Sequence, residues 1–325
     1  MTEPRWSPVA QGVYAPAAAA LGERGVALFV RGADGELLVF EGDAGGLGPA
    51  RSLGVPVARV PESGTRIPVE WPIAACGTRD GEIHLLARGA EGDLVHGRYR
   101  GGELPGFESI GIPVVEEQGA SLPMGLAGAP AACCRERGRL EIFAVSGEGR
   151  LLHTSLDGNG FADCLSLGGM VSSHRREEPV FGAIAAYDAG LRGMGVVVRS
   201  MSGDLLVKRW DGGEWRPFAP LQDPDSFDPL DPANAFLRPL SGPPAACGGG
   251  SARADVFVRG PKGHLLHSRW DGSAWSALRS IGGPLSTSGD PVAFTAGPIA
   301  CAWGRYRLDL FATAADGKLY RSLLT

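Results

Sequence analysis

The residues with the most legible chemistry form two Trp-Asp-Gly-x-x-Trp clusters, Trp210 and Asp211 with Trp215, and Trp270 and Asp271 with Trp275. An indole face stacks on the apolar C–H face of a sugar ring, and a carboxylate beside it accepts hydrogen bonds from hydroxyls. The same letters also suit a tight turn, with Asp closing it and Trp packing behind, so the two readings stand level. Four arginines, Arg31, Arg88, Arg199 and Arg259, fall at one recurring position. Their guanidinium groups suit an anionic or polyhydroxyl ligand. Recurrence is also the mark of architecture, in which each Arg bonds a neighbouring backbone or a carboxylate such as Asp255 or Asp309, and that is the stronger reading.

Histidines divide into two kinds. His96, His153 and His267 share a repeated position and His84 replaces an acidic one, so they read as structural hydrogen-bonding groups rather than a catalytic set. His174 lies outside that pattern with Arg175 and Glu177, where base, anion stabiliser and acid would stand together. A solvated charged loop is the plainer account of that segment. Asp223, Asp225, Asp228 and Asp231 crowd one stretch, but two prolines and no Gly fit no calcium-loop spacing. Five of the six cysteines (Cys76, Cys133, Cys134, Cys247 and Cys301) follow Pro-Ala-Ala-like runs and act as small apolar residues; Cys164 alone sits elsewhere. No metal and no cofactor is expected.

These residues are positioned by a repeat. The segment from Asp255 to Gly272 recurs six times, with turn glycines Gly35, Gly92, Gly149, Gly203, Gly263 and Gly317 spaced by 54 to 60 residues. Such a period, carrying strand signals, means a propeller or a similar array. Two residues after each turn Gly stands an unvarying Leu: Leu37, Leu94, Leu151, Leu205, Leu265 and Leu319. Apolar residues before the turn and Leu after it read as a hairpin. A Pro-led run of small residues precedes it and a polar strand ending near Ser52, Ser109, Ser166 or Ser280 follows. The expectation is an all-β, six-bladed β-propeller with four antiparallel strands per blade, tapering to small residues at the inner strand. The last copy stops after its third strand, and Arg5 to Ala10 is expected to supply the fourth, closing the ring by pairing the two ends in one blade. The blades run over 14–70, 71–127, 128–178, 179–240, 241–296, and 297–325 with 1–13, as one domain.

Composition agrees and excludes several classes. The 325 residues include 50 Gly and 25 Pro, about twice the ordinary share, yet 44% are hydrophobic and 21% charged, which fits a turn-rich globular chain and not a disordered one. A net charge of −5 argues against nucleic acid. No run approaches 18 uncharged apolar residues, so no membrane insertion is expected. Six cysteines are too few for a disulfide scaffold. Residues 1–12 carry neither the basic region nor the apolar core of a secretory leader, and a cytoplasmic protein is the expectation.

The stretch Val256 to Leu285, with Phe257, Arg259, His267, Trp270, Asp271, Trp275, Gly282 and Gly283 in order, resembles the repeat of bacterial lectin-like propellers related to the Photorhabdus fucose-binding lectin. Six blades would also be similar to the fungal fucose lectins. The resemblance implies sugar binding in shallow sites between neighbouring blades. The chain departs from it where the family's aromatic becomes Leu38, Val95, Leu152, Leu206 or Leu266, with only Tyr320 aromatic, and in its linkers: Val57 to Glu70, Val114 to Leu126, Val171 to Glu178, Gln222 to Leu240 and Ser286 to Ala296 are long. Long loops on one face of a rigid scaffold are where function concentrates. Two readings follow: a lectin-like propeller binding a carbohydrate or similar small polar ligand, or an enzyme or small-molecule binder with a single central pocket walled by these linkers.

Overall fold

The computed structural model describes residues 4–20, 25–135, 138–173, 176–180, 182–190, 193–200, 203–221, 240–248, 253–286, 289–303 and 307–324. These residues are all-β, without an α-helix among them. Accordingly, none of their segments is a helix long and apolar enough to cross a membrane. The chain divides into two compact units, Val13–Met170, and Val171–Thr325 together with Met1–Gly12.

The Val13–Met170 unit holds three sheets. Sheet 1 comprises Tyr14–Ala20, Val26–Arg31 and Leu37–Asp43, with the short strands Gly46–Leu47 and Arg51–Ser52 both paired to the third. Sheet 2 comprises Arg66–Gly77, Ile83–Gly89, Leu94–Tyr99 and Phe107–Gly111, and the linker strand Val57–Arg59 joins its fourth strand back to its first. Sheet 3 comprises Ala131–Cys134, Leu140–Val145 and Leu151–Asp157, edged by Gly160–Phe161 and Leu165–Ser166. In the other unit, sheet 4 is Ile184–Asp188, Met194–Arg199, Leu205–Trp210 and Ala219–Pro220. Sheet 5 is Ser241–Gly248, Ala254–Arg259, Leu265–Trp270 and Arg279–Ser280; sheet 6 is Ile299–Trp303, Arg307–Thr313, Lys318–Leu324 and, from the N-terminus, Ser7–Gln11. Within each unit the first strands of successive sheets lie next to one another, a propeller-like arrangement.

Local chemistry accounts for each strand. Second strands such as Ile83–Gly89 and Leu140–Val145 are buried along almost their whole length, so they read as continuous apolar runs rather than as alternation. First strands carry small residues because neighbouring sheets crowd there, and their prolines fall at register shifts: between Tyr14 and Ala17, Glu70 and Ala74, and Ser241 and Ala245. A proline has no N–H for the ladder, so a bulge is where it fits. All six turn glycines have φ between 75° and 87°, the left-handed region that the hairpin turn demands.

Buried polar pairs recur between the second and third strands. Glu141 accepts from His153 at 2.8 Å, Asp255 from His267 at 2.7 Å, and Asp309 takes two bonds from Arg321 at 2.6 and 2.9 Å. Sheet 2 places His84 and His96 there, ring nitrogens 2.9 Å apart, whereas sheets 1 and 4 put Ala27 with Val39 and Gly195 with Val207 at the same places. Pairing is what makes a buried charge tolerable.

The two chain ends meet in sheet 6. Ser7 stands opposite Arg321 and Gln11 opposite Lys318, and Trp6 packs edge-on against Phe294 with ring centroids 4.8 Å apart. This strand covers what would otherwise be an open sheet edge. Trp6→Ala is expected to destabilise the protein by about 2 kcal/mol, less than a fully buried Trp would, read as a lower urea midpoint with an unchanged slope.

Candidate functional site

The third and fourth strands of each sheet set one register pair whose composition varies from copy to copy. In sheet 2 it is Gly97 opposite Phe107. One residue beyond the His153–Leu165 pair of sheet 3, it is Thr154 and Cys164. The same register gives Lys208 and Phe218 in sheet 4, and Ser268 and Leu278 in sheet 5. Gly97 lacks a side chain because the Phe107 ring lies where its Cβ would be, 2.9 Å away. Phe107 is 3% exposed and fills the space between sheets 1 and 2. Ala58, from the linker of sheet 1, pairs with it in parallel. Val115, from the linker of sheet 2, makes the equivalent parallel bridge to Cys164 of sheet 3. A thiol there occupies far less volume than a phenyl ring, and beside the packed core that joins sheets 2 and 3 a space stays open.

The result is a cleft of about 550 Å³ inside the Val13–Met170 unit, within the range of small-ligand sites. One wall is the fourth strand of sheet 2 and its linker, Ile110 to Glu117; the other is Thr154 with Phe161 to Ser166 of sheet 3; Leu94 closes the end. Ile110, Ile112, Val114 and Leu165 are between 38% and 55% exposed, half of the large apolar side chains that stand exposed among the described residues. Apolar surface concentrated around one concavity marks a contact site rather than scatter. Polar groups are few: the carboxylates of Glu116, Glu117 and Asp163, the hydroxyls of Thr154 and Ser166, and the Cys164 thiol, which burial pushes up to about 11 and keeps protonated.

The linker wall is held in place. Val114–Glu117 and Ala120–Pro123 form a hairpin whose two-residue turn has Gln118 at φ 53° and Gly119 at φ 82°. Positive φ at both positions is the hairpin-compatible turn, and Gln118 is the only described non-glycine in that region. Glu117 bonds Arg150 of sheet 3 at 2.5 Å, which raises the Arg150 pKa, and Ser121 donates to Glu116. Leu126 N donates to Gly92 O at 2.8 Å and Gly147 N to Gly125 O at 2.8 Å, tying the end of the linker to the hairpin turns of both sheets. The linker therefore lies on the hairpin-turn side, as expected of these loops, and walls a cleft between adjacent sheets.

The residues singled out from the sequence are placed as follows. Trp270 is buried with the Arg209 guanidinium 4.0 Å over its ring, and Trp275 meets Tyr187 edge-on at 5.7 Å, so this pair packs sheet 5 on sheet 4. Trp210 and Trp215 lie 5.8 Å apart and half-buried. Asp211 accepts from Glu214 N and Gly213 N, both at 3.0 Å, and from Arg216; Asp271 accepts from Ala274 N and Ser273 N at 2.9 and 2.8 Å. These turn bonds hold both carboxyls down to about 2. Arg88 donates to Leu126 O at 2.6 Å and pairs with Glu70, Arg199 donates to Gly242 O at 3.0 Å, and Arg259 to Phe294 O at 3.2 Å. Arg31 reaches toward Trp71 of sheet 2, 6.0 Å from its ring. Each Arg thus extends to the sheet or linker that follows its own. Glu177 lies on the strand Arg176–Pro179, which pairs with Met170–Ser173. His174, Arg175 and the Asp223–Asp231 carboxylates lie outside the described residues. None of the residues read from the sequence as ligand-binding or catalytic lines the cleft; its signal in the sequence is Cys164, the one cysteine off the inner strands, standing where the preceding copy has Phe107.

Comparisons with known proteins bear on the fold. No family model matches the chain, and no curated protein matches its sequence. Among solved structures, AofleA from Arthrobotrys oligospora is similar with a TM-score of 0.65 at 14% identity, covering 100% of this chain and 87% of that one. The BP39L lectin from Burkholderia pseudomallei gives 0.60 at 18% identity, covering 97% and 82%. A fungal lectin from Aleuria aurantia, described as a six-bladed β-propeller with its own mode of fucose recognition, gives 0.56 at 12% identity, covering 96% and 91%. The likeness is one of fold: an all-β, propeller-like arrangement.

Two outcomes follow from this geometry. Cys164→Phe closes the cleft with a stability change within about 1.5 kcal/mol, since the ring enters open space, whereas Phe107→Ala loses about 3–5 kcal/mol by emptying a filled interface; urea unfolding measures both. The second concerns pH. His96 stacks edge-on against Phe161 of the cleft at 5.6 Å, and burial, with His84 beside it, holds His96 down to about 3; burial lowers His84 as well. In the unfolded chain both titrate near 6.5, so their neutral forms support the fold fully above that pH and the support is lost as pH falls below it. The urea midpoint is expected to drop between pH 7 and pH 4, and to drop less in a His84→Ala, His96→Val double variant, which installs the pair of sheet 1.

Proposed function

We propose that this chain is a glycan-binding, lectin-like protein whose six sheets are the blades of a six-bladed propeller, and that its ligand sits in the cleft between sheets 2 and 3. The observation that carries the reading is the cleft itself: an apolar wall facing a small set of hydrogen-bonding groups. A sugar ring has that dual character, with C–H faces for Ile112, Val114, Phe161 and Leu165 and hydroxyls for the carboxylates and Thr154. Similarity to the fucose-recognising Aleuria lectin supports a glycan as the ligand class. The half-buried Trp210 and Trp215 offer a second place for a sugar to stack, while the bonds made by Arg88, Arg199 and Arg259, and by Asp211 and Asp271, and the approach of Arg31 to the Trp71 ring, support architectural roles for those residues.

The test is a glycan array followed by titration of the best glycan, with fucosides included. Wild type is expected to bind, Cys164→Phe to lose binding with its fold intact, and Asp163→Asn to bind about tenfold more weakly, the effect of one charge-assisted hydrogen bond. Trp215→Ala is expected to leave the cleft affinity unchanged. If wild type retains no glycan above background, the reading fails.

A further inference from the structure

The chain has three lysines, Lys208, Lys262 and Lys318, and they stand in unlike surroundings. Lys262 is exposed at a hairpin tip, and Lys318 pairs with the Asp316 carboxylate at 3.4 Å. Lys208 is buried on the strand Leu205–Trp210, directly across from Val196 on one side and in register with Phe218 on the other. Its ammonium lies 4.9 Å from the centroid of the Phe218 ring. Among the described residues no carboxylate pairs with it, and the only influence on its titration is burial, which lowers the pKa.

Those surroundings are the ones that make a lysine a nucleophile. A carboxylate partner would hold the amine charged and its lone pair occupied; an aromatic face and apolar neighbours do so far less. The amine is nevertheless not sealed off, because the fully enclosed polar atoms without partners belong to other side chains. The position is also one that lines a cleft elsewhere in the molecule. Lys208 occupies the register place that Thr154 holds in the wall of the cleft, and Phe218 the place of Cys164.

We propose that Lys208 is a carbonyl-capturing residue that forms a reversible imine with small aldehydes. The uncharged amine nitrogen adds to the carbonyl carbon, the C–O bond then breaks, and the oxygen leaves as water with both amine protons, so no oxidant or reductant takes part. The Phe218 ring gives the captured carbonyl compound an apolar face. This inference does not depend on glycan binding.

The three lysines make the test direct. The intact protein is treated at pH 7 with limiting formaldehyde and sodium cyanoborohydride, which fixes each imine as a methylated amine, and methylation at every lysine is followed by peptide mass mapping. Lys208 is expected to be methylated several-fold faster than Lys262 and Lys318 in the folded protein, and at a similar rate to them in guanidinium. A folded-state rate at Lys208 equal to or below those of the other two would overturn the proposal. Phe218→Asp, which supplies a carboxylate partner, is expected to erase the preference, and a preference that survives in it would also overturn the role assigned to the unpaired amine.

Discussion

A four-stranded sheet of this kind has two apolar faces and can bury neither alone, so everything else in the structure depends on what fills the space between one sheet and the next. Near the inner strands much of the filler is backbone itself, and many side chains shrink to Ala and Cys: a Cβ on Gly248 would lie 1.6 Å from Asp188 O of the neighbouring sheet. Toward the outer strands the sheets diverge and need bulk. Tyr99 and Phe107 supply it between sheets 1 and 2, with Tyr99 edge-on to Phe29 at 5.2 Å; Trp270 and Trp275 supply it between sheets 4 and 5; Phe294 and Tyr320 do so at sheet 6. Burying an aromatic ring at each interface contributes a few kcal/mol. Between sheets 2 and 3, where Cys164 stands at the place of Phe107, a cleft remains beside Phe161.

Where the second and third strands carry an acid and a base inside such a stack, the two stand as a pair. The second-strand acid and third-strand base of sheets 3, 5 and 6 lie on adjacent strands, close enough for direct bonds, and sheets 1 and 4 drop both members together rather than one. Losing a single partner would leave a buried charge uncompensated, which costs more than replacing the whole pair by apolar residues. The recurring arginines obey a similar rule at the hairpin ends. They donate to carbonyls that the next sheet or linker leaves without a ladder partner, so a position that looks like a ring of ligand-facing cations is occupied with holding successive sheets together.

The scaffold was legible because its constraints repeat. Turn glycines and the Leu after each recur in all six copies, and a Pro at the start of the inner strand in five of them, at a spacing of 54 to 60 residues, and each has one physical cause that acts wherever it recurs. Even the end-to-end strand could be read: Arg5 to Ala10 was expected and Ser7–Gln11 pairs with Lys318–Leu324. The cleft was not legible for the opposite reason. It is made by the absence of a ring at Cys164, on a fourth strand only two residues long, and absence has no signature until that strand is aligned with Phe107. The linker from Val114 to Leu126 was visible as a long loop, but nothing in its letters announced a hairpin turning through Gln118. Trp-Asp-Gly was conspicuous and open to two readings; in sheet 5 the turn and the interface use both of its functional groups.

A repeat protein therefore reveals its specific chemistry where the repeat fails. The strand-three Leu cannot change without emptying the core, and the turn Gly cannot change without straining the backbone, so neither can encode a ligand. The register pair formed by Gly97 with Phe107, Thr154 with Cys164, and Lys208 with Phe218 is free of both constraints, since it lies on the outer strands, away from the turn and the strand-three Leu. Glycine with phenylalanine closes that space, threonine with cysteine opens it, and lysine with phenylalanine places an unpaired amine against a ring. One pair of positions, varied on an otherwise fixed frame, is enough to give neighbouring sheets different chemistry.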